Sequence, residues 1–88
     1  MATVFIPARL RRLTGGLERV DVEGASVGAL VEAIERRFPG FRAAVVVADE
    51  IDPALAVAVD GEVLAGGLAE RVESSSEVHL IPALSGGA

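Results

Sequence analysis

The chain has 88 residues, which is enough for one compact domain and too few for two. Eight basic and thirteen acidic residues give a net charge of −5, which opposes binding to nucleic-acid phosphates and favours partners with basic surfaces. Apolar residues make up 51% of the sequence, so a real core is expected despite the short length.

The side chains that usually carry covalent chemistry are scarce. There is no cysteine, which excludes disulfides, a thiol nucleophile and a side-chain persulfide, and the single histidine, His79, leaves no histidine-based metal site. No apolar run approaches the ~20 residues of a membrane span, and no secretory leader is recognisable. A cytoplasmic protein is expected, with no membrane or nucleic-acid partner, no metal and no permanently bound cofactor.

The chain begins with a predicted β-hairpin. Residues 3–8 are β-branched or apolar, and after the Gly15-Gly16 turn residues 18–22 alternate between polar and apolar positions. Pro7 cannot donate a ladder hydrogen bond, so the first strand is expected to end near it. Residues 9–14 are predicted to be a loop.

A single long helix follows, with Ser26 at its N-cap and Pro39-Gly40 as its stop. Its apolar residues have the spacing of one buried stripe, which is expected to cross one face of a sheet. They are Val27, Leu30, Val31, Ile34 and Phe38.

The second half predicts three further strands. Residues 41–53 have no clear pattern: residues 43–48 could form a short helix or a strand, and residues 49–52 are expected to be an acidic loop. Residues 55–59 and 62–64 flank the tight-turn pair Asp60-Gly61. One helical turn is expected near residues 69–72, and a last strand over 77–81 ends at Pro82. This order indicates an α+β fold, a single β-grasp domain whose mixed sheet of about four to five strands packs on one main helix.

The last residues form a short tail, so the chain divides into a domain of residues 1–82 and a flexible tail of residues 83–88. Gly86 and Gly87 have no Cβ atoms, so such a tail can lie extended in a channel too narrow for side chains and present a terminal carboxylate to an enzyme's nucleotide. Fraying of an ordinary chain end is the alternative interpretation.

Several segments together resemble the MoaD/ThiS group of ubiquitin-like sulfur carriers. The segments are Val4-Phe5-Ile6-Pro7 with Leu10-Arg11 and Thr14-Gly15-Gly16, the Val59-Asp60-Gly61-Glu62 turn with Asp60 in place of the usual Asn, the final strand Glu77 to Ala83, and Gly86-Gly87. The first hairpin is most similar to the cysteine-biosynthesis members of the group.

The resemblance implies a carrier that is not itself an enzyme. An ATP-using adenylyltransferase/sulfurtransferase of the ubiquitin-activating type would adenylate the Gly87 carboxylate and convert it to a thiocarboxylate, while Gly86, Ser85 and Leu84 thread into the partner. A sulfur-accepting enzyme such as a cysteine synthase would then take the sulfur. Mature members end at the second glycine, so a zinc-dependent JAMM-type peptidase is expected to remove Ala88. A cloning residue is the alternative.

Three residues are candidates for the partner-facing surface: His79, Pro82 and Arg11. Arg11 belongs to a basic cluster with Arg9 and Arg12, for which a solvated loop is the favoured interpretation. Sequence leaves open the molybdopterin synthase small subunit, a sulfur donor for thiamine or secondary metabolites, a ubiquitin-like protein modifier and a plain interaction domain.

Overall fold

A five-stranded mixed sheet forms the centre of the protein in a computed structural model that describes residues 1–83. Its strand order is β2-β1-β7-β5-β6, and a separate two-stranded ribbon pairs β3 with β4. The strands are β1 (Ala2–Phe5), β2 (Arg19–Val22), β3 (Val46–Val47), β4 (Glu50–Ile51), β5 (Leu55–Val59), β6 (Glu62–Leu64) and β7 (Glu77–Pro82). The α-helices are α1 (Val27–Arg37) and α2 (Phe41–Val45), and 3₁₀ helices span Ala8–Thr14 and Gly67–Ala69.

The last strand of the sheet lies at its centre. β7 pairs in parallel with β1 and antiparallel with β5, while β1–β2 and β5–β6 are antiparallel hairpins. With α1 packed on one face, this topology confirms the predicted β-grasp fold.

The predicted helix forms as expected. The Ser26 side chain accepts a hydrogen bond from the Ala29 N–H at 3.1 Å, satisfying one of the unpaired donors at the helix start. The apolar stripe is buried against the sheet at Val27, Leu30, Val31 and Ile34. The helix ends at Arg37, because the following residue, Phe38, leaves the helical region before Pro39.

The first connection differs from its prediction. β1 ends at Phe5 rather than residue 8, and residues 9–14 are part of a 3₁₀ helix rather than a loop. Pro7 limits the strand as expected, and its carbonyl accepts the Leu10 N–H at 2.9 Å to start the helix. Leu10 and Thr14 are buried, so packing against the core holds a segment whose polar composition favoured a loop.

The turn predicted at residues 69–72 was placed too late. A 3₁₀ turn covers Gly67–Ala69. The residues that follow are extended because their backbone is hydrogen-bonded to the residues at the start of α1. The Val27 N–H donates to the Glu70 carbonyl at 2.9 Å, and the Val72 N–H donates to the Ala25 carbonyl at 3.1 Å.

The segment left open by the sequence contains both alternatives. α2 (Phe41–Val45) runs directly into the β3–β4 ribbon, and Phe41 and Val45 are completely buried. The tip of the ribbon is a two-residue turn in which Ala48 (φ 52°) and Asp49 (φ 64°) are both left-handed, a conformation that non-glycine residues seldom adopt.

Asp60 ties the β5–β6 turn to the start of β7. Its φ is 52° and that of Gly61 is 88°, as the predicted tight turn requires. The Asp60 carboxylate accepts hydrogen bonds from the Ser76 hydroxyl at 3.0 Å and the Glu77 N–H at 2.9 Å. A carboxylate at this position therefore fixes where the central strand begins.

Glu35 performs a similar function at the start of α2. Its carboxylate accepts the Arg42 N–H at 2.8 Å and the Gly40 N–H at 3.1 Å, and these bonds, the Arg42 bond first, lower the pKa of Glu35 from its ordinary value of 4.5. A lowered folded-state pKa contributes stability above the unfolded-state value, and that contribution is lost as the pH falls through the folded-state value.

We therefore expect Glu35→Gln to be less stable than the wild type at pH 7. The difference should begin to shrink as the pH falls below about 4.5, where the unfolded-state carboxylate takes up a proton, and should be lost once the folded-state carboxylate, whose pKa is lower, is protonated as well. Urea midpoints at pH 7 and pH 3 measure this. Glu73→Gln, which removes an exposed carboxylate elsewhere, is the control, and a difference independent of pH would contradict the assignment.

Candidate functional site

The end of the central strand is the point from which the predicted tail continues. β7 pairs with β1 as far as His79 and with β5 as far as Pro82, and the Ala83 N–H still donates to the Ala54 carbonyl at 2.8 Å. The predicted tail residues Leu84, Ser85, Gly86, Gly87 and Ala88 lie outside the described residues. The surroundings of the strand end are therefore the part of the candidate site that the structure defines.

A groove of about 510 Å³ borders this strand end on the β1 side, and we call it the tail groove. It brings together the three partner-facing candidates Arg11, His79 and Pro82, which come from different elements of the fold. The tail groove is lined by Phe5, Ile6, Pro7, Ala8, Arg11, Glu18, Arg19, His79, Leu80, Ile81 and Pro82.

His79 lies flat against a neighbouring aromatic ring. The strand alternation buries Val78 and Leu80 and turns His79 to the outer face of the sheet, where it is partly exposed. Its ring stacks on Phe5 with centroids 4.2 Å apart and an interplanar angle of 4°, and its Nε2 lies 3.9 Å from the nearest Glu77 oxygen. The stack holds the imidazole in one orientation beside the tail groove.

The predicted basic cluster is divided by the fold. Arg11 is partly buried, and its Nε donates to the Ile6 carbonyl at 3.1 Å, so its guanidinium is fixed at the wall of the tail groove. Arg9 and Arg12 are exposed and do not line the groove. A different cation, Arg19, stands beside Phe5 in the β1–β2 register and supplies the groove's second positive charge.

Sequence reasoning missed Arg19 and Phe5. The alternation of β2 places Arg19 on the outer face, and Phe5 is an aromatic residue at an outward position of β1. Strand alternation alone places Phe5 on the outer face, whereas its contact with His79 depends on the β1–β7 register.

The outer sheet face continues from the tail groove as a mostly apolar surface. One cross-strand row contains Phe5, His79, Ala58 and Val63, and beside it Ile81 faces Ala56. Val63 is 66% exposed and Ile81 is 39% exposed. Large exposed apolar side chains grouped on one face are typical of a protein-binding surface.

The described residues place no group of three or more His, Cys, Asp and Glu side chains where a metal ion could bind. No helix within residues 1–83 is long and apolar enough to cross a membrane.

Comparison with known proteins identifies the class of this fold and site. The model of the ThiS family matches residues 4–87. The sulfur carrier protein CysO of Mycobacterium tuberculosis is 30% identical over 92 residues, covering 97% of each chain. The chain belongs to the ThiS family and is a sulfur carrier of the ThiS, MoaD and CysO type.

Solved structures give the same result. A chain in the crystal structure of the BexX/CysO complex from Amycolatopsis orientalis superposes with a TM-score of 0.90 at 32% identity, covering 99% of this chain and all of that one. The small archaeal modifier protein 1 of Haloferax volcanii superposes with a TM-score of 0.73 at 28% identity, covering 94% of this chain and 97% of that one.

Proposed function

We propose that the chain carries sulfur as a thiocarboxylate on Gly87 and donates it in cysteine formation, without catalysing a reaction itself. The observation that supports this most is the position of the strand end that precedes the tail in the sequence. Pro82, at the end of the central strand, lines a groove that also contains two arginines, Glu18, a stacked histidine and apolar side chains. A partner enzyme that binds the tail groove can hold the C-terminal residues at a fixed distance from the enzyme's active site.

Two displacement steps account for the chemistry. A Gly87 carboxylate oxygen attacks the α-phosphorus of ATP held by an adenylyltransferase, which forms an acyl-adenylate and releases pyrophosphate. Hydrosulfide then attacks the acyl carbon, AMP leaves, and loss of the proton gives the thiocarboxylate. Activation is needed because a carboxylate is a poor electrophile until one oxygen becomes a leaving group, and the thiocarboxylate sulfur that results is a strong nucleophile.

The absence of cysteine from the sequence agrees with a carrier whose sulfur resides on its terminus. Because the reactive carboxylate belongs to Gly87, the proposal requires that Ala88 be removed first, for which we propose a JAMM-type zinc peptidase. The preference for cysteine formation over other sulfur acceptors rests on the likeness to the CysO proteins.

The test is ATP–pyrophosphate exchange by the chain's own adenylyltransferase. A chain ending at Gly87 should support exchange and the chain that retains Ala88 should not. Exchange with neither form would contradict the proposal.

The tail groove is proposed to dock the adenylyltransferase through its positive charges. Arg19→Glu should raise the KM for the carrier about tenfold with little change in kcat, because it replaces attraction by repulsion at an exposed contact that does not touch the reacting atoms. Arg36→Glu, an equal charge change on the exposed side of α1, is the matched control. Equal effects of the two variants would show that only the overall charge matters.

A protein modifier is the second candidate, because the archaeal modifier protein shares this fold at 28% identity. In that case the tail would form isopeptide bonds with lysines of target proteins. Higher-mass conjugates in cell extracts that disappear when Gly87 is replaced would favour it. All eight basic residues here are arginines, so this chain offers no lysine of its own for lysine-linked polymers.

A further inference from the structure

A second hollow, of about 530 Å³, lies beside β5, the strand that pairs with β7 on the side away from β1. It lies between the β3–β4 ribbon, the β5–β6 hairpin and the 3₁₀ turn Gly67–Ala69. We call it the acidic cleft. The residues that carry the argument are Asp49, Glu50, Ile51, Leu55, Leu64 and Leu68.

Three apolar side chains line part of the acidic cleft. Ile51, Leu64 and Leu68 are partly buried and pack against the main core, and each also lines the cleft. Gly67, whose φ is 58°, lies across from Ile51, and a Cβ added to it would be 3.6 Å from Ile51 Cγ1, an ordinary van der Waals contact. The Glu70 carboxylate accepts the Gly66 N–H at 2.7 Å and holds this loop in place. This hydrogen bond fixes the loop that forms one side of the cleft.

The rim of the cleft is negative. Asp49 and Glu50 are both exposed, and none of the residues that line the cleft is basic. Arg42 forms a long ion pair with Asp49 at 3.9 Å, and its closer partner is Glu32 at 2.7 Å. The Asp49 side chain is 96% exposed, held out by the left-handed turn at Ala48 and Asp49. A hollow lined by apolar side chains and by the carboxylates of Asp49 and Glu50 is complementary to an apolar side chain flanked by a cation.

The position of the cleft relates it to the tail. Leu55 lines the cleft and pairs with Pro82 in the β5–β7 ladder, and Pro82 also lines the tail groove. β5 thus separates the end of β7 from the acidic cleft. Arg11 and Arg19 line the tail groove together with Glu18, whereas Asp49 and Glu50 are the charged residues that line the acidic cleft.

We propose that the acidic cleft is a second docking site, which binds a partner segment that presents an arginine or lysine beside an apolar side chain. The cation would lie between Asp49 and Glu50, and the apolar side chain would contact Ile51, Leu64 and Leu68. The role of this second site rests on the proposed function. A sulfur carrier must be recognised first by the enzyme that loads the sulfur and then by the enzyme that accepts it. Two sites of different charge on one carrier let partners with different surfaces bind it.

The test is a nuclear magnetic resonance titration of the full ¹⁵N-labelled chain with the peptide acetyl-Leu-Arg-Arg-Leu-amide. Saturating shifts are expected at the amides of Ile51, Leu64, Gly67 and Leu68, with a Kd on the order of a millimolar for so short a probe. The double variant D49R/E50R should weaken binding at least tenfold. The matched control E23R/E73R makes the same charge change at exposed sites away from the cleft and should bind like the wild type.

Three results would overturn the proposal. They are shifts that map to the tail groove or to no defined surface, equal binding of acetyl-Leu-Glu-Glu-Leu-amide, and equal loss in D49R/E50R and E23R/E73R. The titration needs neither ATP nor sulfur, so it is decided separately from the proposed function. Failure of pyrophosphate exchange would remove the carrier chemistry and leave the binding result standing.

Discussion

Gly86→Val, in a chain that ends at Gly87, is expected to reduce pyrophosphate exchange by the adenylyltransferase at least about 100-fold. Glycine is the residue whose backbone can lie against the walls of a narrow channel, and a β-branched side chain both widens the segment and restricts its dihedral angles. A displacement of about 1 Å at the reacting carboxylate is enough for a loss of this size.

The expected loss is in activation and not in folding. The free energy of unfolding of Gly86→Val should stay within about 0.5 kcal/mol of the wild type. Ser85→Ala, which keeps a small side chain at the neighbouring position, is the matched control and should retain most of the exchange activity. Exchange by Gly86→Val at the wild-type rate would show that the tail does not enter a narrow channel.

Phe41→Ala is expected to lower the free energy of unfolding by about 3–5 kcal/mol, the usual cost of removing a fully buried phenylalanine ring. Phe41 has no exposed surface and begins α2, which packs on α1. Domains of this kind have a total stability of about 5–15 kcal/mol, so the variant should be partly unfolded at 37 °C.

Urea denaturation monitored by circular dichroism measures this effect. The control is Ala43→Ser on the exposed side of the same helix, for which we expect a change within about 0.5 kcal/mol. A loss below about 1 kcal/mol in Phe41→Ala would show that α2 is not part of the core.

The elements that could be predicted are those with strong local signals. Ser26 as a cap followed by a 3–4 spacing of apolar residues leaves little alternative to α1, and Asp60-Gly61 between two apolar runs specifies the β5–β6 hairpin. These choices agree with the tertiary contacts of the same residues, so local and global preferences coincide.

The segment from Phe41 to Ile51 could not be predicted because its local signals conflict. Val45, Val46 and Val47 favour a strand, yet Val45 ends a helix because Glu35 caps α2 from the preceding helix. The turn at Ala48 and Asp49 lacks the glycine or asparagine that marks such turns. Contacts with distant residues decide both features.

The candidate site was only partly accessible from sequence. His79, Pro82 and Arg11 were selected individually, and the structure brings them together at the tail groove. Arg19 was missed because its proximity depends on the β1–β2 register, and the acidic cleft was missed because it joins three separate segments. The roles of Gly86 and Gly87 lie outside the described residues and rest on the family.

The most direct measurement of the carrier function is the intact mass of the chain after incubation with its adenylyltransferase, ATP and a sulfide source. Replacement of one carboxylate oxygen by sulfur adds about 16 Da, and we expect this gain on the chain that ends at Gly87 and not on the chain that retains Ala88. A Gly87-ending chain that stays at its original mass while the adenylyltransferase activates another carrier would contradict the proposal that this chain carries sulfur on Gly87.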